Sequence, residues 1–182
     1  MPIFTDDQHQ YLLTLARAAL TAAVTDDHVA LPAEVDAAFR TPLGAFVTLT
    51  ADGELRGCIG YPEPVFPLYE TIVRGAMSAA LHDPRFSPVT ANELPGLRVE
   101  VSVLSPLAPI APEAVEVGTH GLVIEKGTRR GLLLPQVPTE YGWSRDEFLA
   151  YTCRKAGLPQ DAWRDPAAKL FGFTAEVFHE GV

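Results

Sequence analysis

With 182 residues, 47% apolar and 20% charged, the chain has the composition of one globular domain with a sizeable core, which excludes a disordered or fibrous protein. A formal charge of -9 and a pI near 4.9 disfavour generic binding to nucleic acid or to an anionic membrane. Two cysteines far apart in sequence supply no disulfide framework, so a reducing, cytoplasmic setting is expected.

The N-terminus lacks the basic start and apolar run of an export signal, and no apolar stretch reaches the length of a membrane span. Thr5 with Gln8 forms a capping box, and Leu12, Leu15, Ala16, Ala19 and Leu20 then recur at helical spacing, which predicts a first helix. Pro32 suggests the start of a short helix over 33–39. Residues 45–50 and 55–60 are β-prone runs around Asp52-Gly53, a hairpin signal. A plain two-residue turn would set Thr48 opposite Gly57 and Val47 opposite Cys58. Alternation then places Arg56 and Cys58 on one face, with Leu55, Gly57 and Ile59 on the other.

The proline-rich segment 61–67 ends that strand, and 68–81 reads as a helix rich in small residues where it packs on a sheet, with Glu70 and Arg74 as an i,i+4 pair. Val99, Val101 and Val103 alternate with Arg98, Glu100 and Ser102 in a half-buried strand over 98–105. Residues 121–125 and 131–134 flank a Lys126-Gly127-Thr128 turn as a second hairpin. Ser144 and Glu147 box the start of a helix that ends near Gly157. Residues 170–178 read as one closing strand with Phe171, Phe173 and Val177 on one side. Hairpins between helices, without a regular βαβ alternation, predict a single α+β domain over 1–182.

Leu55-Arg56-Gly57-Cys58-Ile59-Gly60 resembles the hallmark of the AMMECR-type domain family. Ala45-Phe46-Val47-Thr48-Leu49, Asp83-Pro84-Arg85-Phe86, Val101-Ser102-Val103-Leu104 and His120-Gly121 are similar to further segments of that family, in its order. So are Leu133-Leu134-Pro135-Gln136-Val137 and Cys153-Arg154-Lys155-Ala156-Gly157-Leu158-Pro159. The resemblance implies an antiparallel β-sheet flanked by helices, with a smaller subdomain forming a cleft near Cys58. It also implies partners, because such proteins are often encoded beside or fused to a Memo-type protein and a radical SAM enzyme. It carries a fold and a site; it brings no reaction with it.

Cys58 is the leading candidate for chemistry. A thiol reacts as thiolate, and a cation such as Arg56, about 7 Å along the strand, favours that form. Gly57 and Gly60 remove side chains that would block a ligand. The plain alternative is a buried cysteine filling the core, with the glycines marking a close crossing. His82 and Asp83 fit a helix end followed by an Asp-Pro turn, whereas Arg85 suits either a salt bridge or an anionic ligand. His120, before a strand, is a candidate base or proton shuttle for Cys58, or a turn histidine. Glu100 is a candidate acid or base, or simply faces water. Gln136 could bind substrate or satisfy turn amides, and Cys153 reads as core.

The five histidines are scattered, with no Cys-x-x-Cys or His-Glu-x-x-His spacing, so no metal site is expected. Neither common phosphate-binding glycine loop occurs, and no cofactor is expected from this chain. The expected function is therefore a cysteine-dependent enzyme or enzyme component acting on a small-molecule or modified substrate. The rival is a non-catalytic binding module for a partner protein.

Overall fold

The computed structural model describes residues 2–28, 32 and 34–181. The chain divides into two compact units, Met1–Leu104 with Glu176–Val182, and Ser105–Ala175. Each unit carries an antiparallel sheet with flanking helices, an α+β fold.

The first unit opens with α1 (Asp6–Val24), whose Thr5–Gln8 capping box forms as the sequence predicts, with Asp6 and Asp7 suiting the positive end of the helix dipole. The second helix, α2 (Ala37–Arg40), is shorter and later than the expected 33–39. Asp36 decides its start, because the Asp36 carboxylate accepts the Ala38 N–H at 2.9 Å and leaves 34–36 outside the helix. Ala33, within the expected span, lies outside the described residues.

β1 (Ala45–Ala51), β2 (Glu54–Tyr61), β3 (Leu97–Leu104) and β8 (Ala175–His179) form a sheet in the order β2-β1-β3-β8. One face buries Ala45, Val47 and Leu49 with Val99, Val101 and Val103 against α1 and α3 (Leu68–Leu81). α3 covers the span the sequence predicts. It approaches β2 so closely that a Cβ on Gly57 would lie 2.2 Å from the Ala79 carbonyl oxygen. On the outer face stand Phe46, Thr48, Thr50, Glu100 and Ser102, all half-buried.

The β1–β2 hairpin corrects the expected register. Asp52 and Gly53 both have positive φ, 52° and 81°, as a primed two-residue turn requires. Thr50 then pairs with Leu55, but Leu49 pairs with Gly57, so Arg56 is an extra residue in a bulge. Cys58 therefore stands opposite Thr48, not Val47.

The second unit holds β4 (Ala108–Pro109), β5 (Gly121–Lys126), β6 (Arg129–Leu133) and β7 (Lys169–Phe173) in the order β4-β7-β5-β6, with α4 (Gln136–Tyr141) and α5 (Arg145–Lys155). The Ser144–Glu147 capping box opens α5, and Phe148, Leu149 and Cys153 turn inward from it. The β5–β6 hairpin keeps an unbroken register from Leu122–Leu133 to Lys126–Arg129.

The single closing strand expected over 170–178 is in fact two. At Thr174 the chain leaves the sheet: its N–H donates to the Ser105 hydroxyl and its carbonyl accepts the Ser105 N–H, both at 2.8 Å. β7 joins one sheet and β8 the other. Alternation therefore restarts, which buries Phe173 and Phe178 and leaves Val177 exposed. Among the described residues, no helix is long and apolar enough to cross a membrane.

Candidate functional site

β2 is an edge strand, so every second residue turns its N–H and C=O away from β1. At Cys58 those groups do not face water. The Cys58 N–H donates to Asp83 Oδ2 at 2.9 Å, and an Arg85 N–H donates to the Cys58 carbonyl at 3.4 Å. The segment after α3 supplies both partners. His82 caps that helix, its N–H donating to the Ser78 carbonyl, and the Asp83–Phe86 turn brings the chain back along the edge.

Asp83 is the only side chain of this turn that is fully withdrawn from water, with 2% of it exposed against 55% for Arg85. Its carboxylate accepts from the Cys58 N–H, the Arg85 N–H and two guanidinium nitrogens at 2.8–3.0 Å, which fills its hydrogen-bonding capacity. The Arg85 guanidinium, helped by those backbone N–H groups and opposed by burial, holds the Asp83 carboxyl far below the usual carboxylate range. Arg85 is in turn more firmly protonated, chiefly through its bond to Asp83 and least through attraction to the Cys58 side chain.

The Cys58 side chain points to the outer face and is half-buried, and the Thr48 hydroxyl lies 3.1 Å from its sulfur. Thr48 also faces Glu100 on β3, so Cys58, Thr48 and Glu100 form one row across three strands. In the next row Gly60 faces Phe46, and a Cβ on Gly60 would lie 2.2 Å from the Ala45 carbonyl oxygen and 2.6 Å from the Phe46 Cα.

Arg56 does not serve Cys58 in this arrangement. The bulge turns it toward Glu93, which it grips with two N–H groups at 2.8 and 3.3 Å, while a third N–H donates to the Ser87 carbonyl. Arg56 and the Thr90 N–H push the Glu93 carboxyl down to about 2. The cation beside Cys58 is Arg85.

Of the residues singled out from sequence, Cys58, Arg56, Gly57, Gly60, Arg85 and Glu100 all belong to the first unit. His120 and Gln136 belong to the second. His120 accepts the Glu116 N–H at Nδ1 (3.0 Å), so its neutral ring carries the proton at Nε2. Gln136, expected in a loop, is the first residue of α4, where its carbonyl accepts the Thr139 hydroxyl. Cys153 is buried in α5, and burial pushes its thiol pKa up. Both cysteines are free thiols. Among the described residues, no three His, Cys, Asp or Glu side chains group as metal ligands.

Sequence reading missed Thr48 and undervalued Asp83. The Asp-Pro step after a helix signals a turn, which is how Asp83 was read, but nothing local shows that its carboxylate reaches a strand 25 residues earlier.

The AMMECR1 family model matches residues 13–178. A protein of Methanothermobacter thermautotrophicus is 47% identical, over 96% of this chain and 95% of its own. One from Aquifex aeolicus is 44% identical, over 93% and 91%. The crystal structure of an uncharacterized protein from Pyrococcus horikoshii matches with a TM-score of 0.81 and 43% identity, covering 98% of this chain and 94% of that one.

Proposed function

The chain belongs to the AMMECR1 family, and from that membership we propose a cytoplasmic enzyme or enzyme component whose working group is the Cys58 thiol. Cys58 acts as nucleophile or substrate-anchoring thiol. Arg85 draws an anionic group of the substrate to the edge of β2. Glu100 lies two strands from Cys58, roughly 10 Å away at sheet spacing, and so handles protons on a substrate lying across the row, not on the sulfur itself. The second unit's His120 and Gln136 have no assigned step in this reading. In this reading the protein belongs to a modification pathway, with a Memo-type protein and a radical SAM enzyme as its partners.

One observation carries the reading: the backbone of Cys58 is pinned at both polar atoms while its side chain stays half-buried, not sealed in the core, beside a hydroxyl. Fixing the backbone of a reacting residue cuts the cost of positioning it. The same bond narrows the chemistry. With its own N–H held by an ionised carboxylate, Cys58 has no amide to offer an oxyanion, so displacement at carbon or sulfur is favoured over acyl transfer.

The test is alkylation by iodoacetamide across pH 6–10, mapped by mass spectrometry. Cys58 is expected to react in the folded protein, with buried Cys153 reacting only after unfolding. A Cys58 that stays inert until denaturation would end the proposal.

A further inference from the structure

The two units differ sharply in charge. The second unit's eight Lys and Arg balance its eight Asp and Glu, whereas the first unit holds six against fifteen and so carries the whole formal charge of -9. The low pI is thus a property of the first unit, and the objection it raises to a polyanion weakens at the second.

Within the second unit, cations line up along β6. Arg129, Gly131 and Leu133 share one face of that strand, the face turned to α5. The Arg129 guanidinium donates to the Gly157 carbonyl just past the helix, and Gly131 abuts Ala156. Leu133 borders a shallow depression with Trp143, Tyr151, Arg154 and Lys155. Arg129, Arg154 and Lys155 are exposed, and none of them has an acidic partner among the described residues. The negative end of the α5 dipole favours cations there. It gives no reason for the exposed rings beside them.

Those rings run on from the cations. The Arg154 guanidinium lies over the Tyr151 ring at 5.3 Å, Tyr151 stacks on Trp143 at 3.9 Å and 7°, and Trp143 stacks on Tyr141 at 5.1 Å and 16°. Tyr141 is 69% exposed although Trp143 covers one of its faces, so the other face is open to solvent. An open ring at the end of a stack is a platform for one more planar group.

We propose that this strip binds single-stranded nucleic acid, with a base stacked on the open face of Tyr141 and phosphates meeting Arg154, Lys155 and Arg129. A duplex keeps its bases stacked on one another and leaves Tyr141 idle. An acidic peptide would use the cations and leave it idle too. The role of the strip does not depend on Cys58, which lies in the first unit.

Trp143 reports on the strip, and Trp163, the other tryptophan of the chain, serves as internal control. The indole N–H resonances are followed while the protein is titrated with a short oligouridylate, the matching oligothymidylate, and octaglutamate. Oligouridylate should move the Trp143 signal and leave Trp163 in place. Tyr141→Ala should weaken binding about fivefold or more, as loss of one stacked base predicts. Three phosphate contacts predict that raising salt from about 50 to about 200 mM costs about 20-fold in affinity. In the double variant Arg154→Gln, Lys155→Gln, left with one contact, the same step should cost about threefold. A dispersed spectrum shows that each variant folds. Tighter binding of oligouridylate than of oligothymidylate identifies RNA as the ligand, through its 2′-hydroxyls, and equal or weaker binding identifies any single strand. A Trp143 signal unmoved at millimolar oligonucleotide, or an affinity unchanged by Tyr141→Ala, overturns the proposal. Equal binding of octaglutamate overturns it as well, in favour of an acidic protein partner.

Discussion

Each unit has a hairpin with a strand at the edge of its sheet, and the two edge strands are held by different means. Along β2, at Cys58, the cover is polar: Asp83 and Arg85 bond the free backbone groups and leave the side chain half-buried. Along β6 the end of α5 packs on one face of the strand, so close that a Cβ on Gly131 would fall 2.4 Å from the Ala156 nitrogen. Ionic cover protects the backbone of an edge, whereas the helix end packs on the face of β6, burying Gly131 while Arg129 and Arg130 stay exposed. The first arrangement suits a reacting group, and the second suits stability.

The contrast can be broken most severely at Gly131. Gly131→Val forces β6 and α5 apart and should cost about 3 kcal/mol or more, read as a shift in urea midpoint at constant slope. A cost below about 1 kcal/mol would mean the close approach is not what holds that edge.

Asp83→Ala is the matching cut on the other side. It strands the Cys58 N–H and the Arg85 guanidinium, and should cost about 2–3 kcal/mol, less than a fully buried pair because Arg85 is largely exposed. It should also change the rate of Cys58 alkylation, which Gly131→Val should leave alone in protein that remains folded. Equal alkylation in both variants would remove the link between the edge cover and the thiol.

Acid separates the two edges further. Asp83 and Glu93 have folded pKa values below their unfolded ones, with Glu93 at about 2 against roughly 4.3 in an unfolded chain. The unfolded chain therefore takes up protons first as pH falls. The stability these groups contribute is complete above about pH 5 and is lost progressively toward pH 2. Asp83→Asn or Glu93→Gln should flatten the acid limb of stability against pH, while Gly131→Val should lower the curve without changing that slope.

The smallest effect tests what the hairpins share. Gly53 and Gly127 both have positive φ, 81° and 61°, with open space where a Cβ would go. Replacing either by Ala should cost about 1 kcal/mol, with strain as the sole cause. Unequal costs would show that the bulge in the first hairpin loads its turn.

The sequence carried most of the local structure, because the signals are local. Thr5 with Gln8 and Ser144 with Glu147 are capping pairs within four residues, and both form. The span of α3 and the two turn positions follow from short-range patterns as well. Of the candidate site, the motif around Cys58 was legible; the face its side chain takes was not, because pairing with Val47 would have set it on Val47's buried face.

What only tertiary structure decided lies in partnerships across distance. One extra residue at Arg56 moved Cys58 from Val47 to Thr48, because a bulge is chosen by how two strands twist together. Arg56 went to Glu93 and Arg85 to Asp83, although spacing along β2 pointed to Arg56 as the cation for the thiol. The Ser105–Thr174 bonds split one apparent strand between two sheets, joining residues 69 apart. Local patterns encode φ, ψ and which face is apolar. Which groups meet at an edge depends on loops closing over tens of residues, and composition within those loops does not specify the partner.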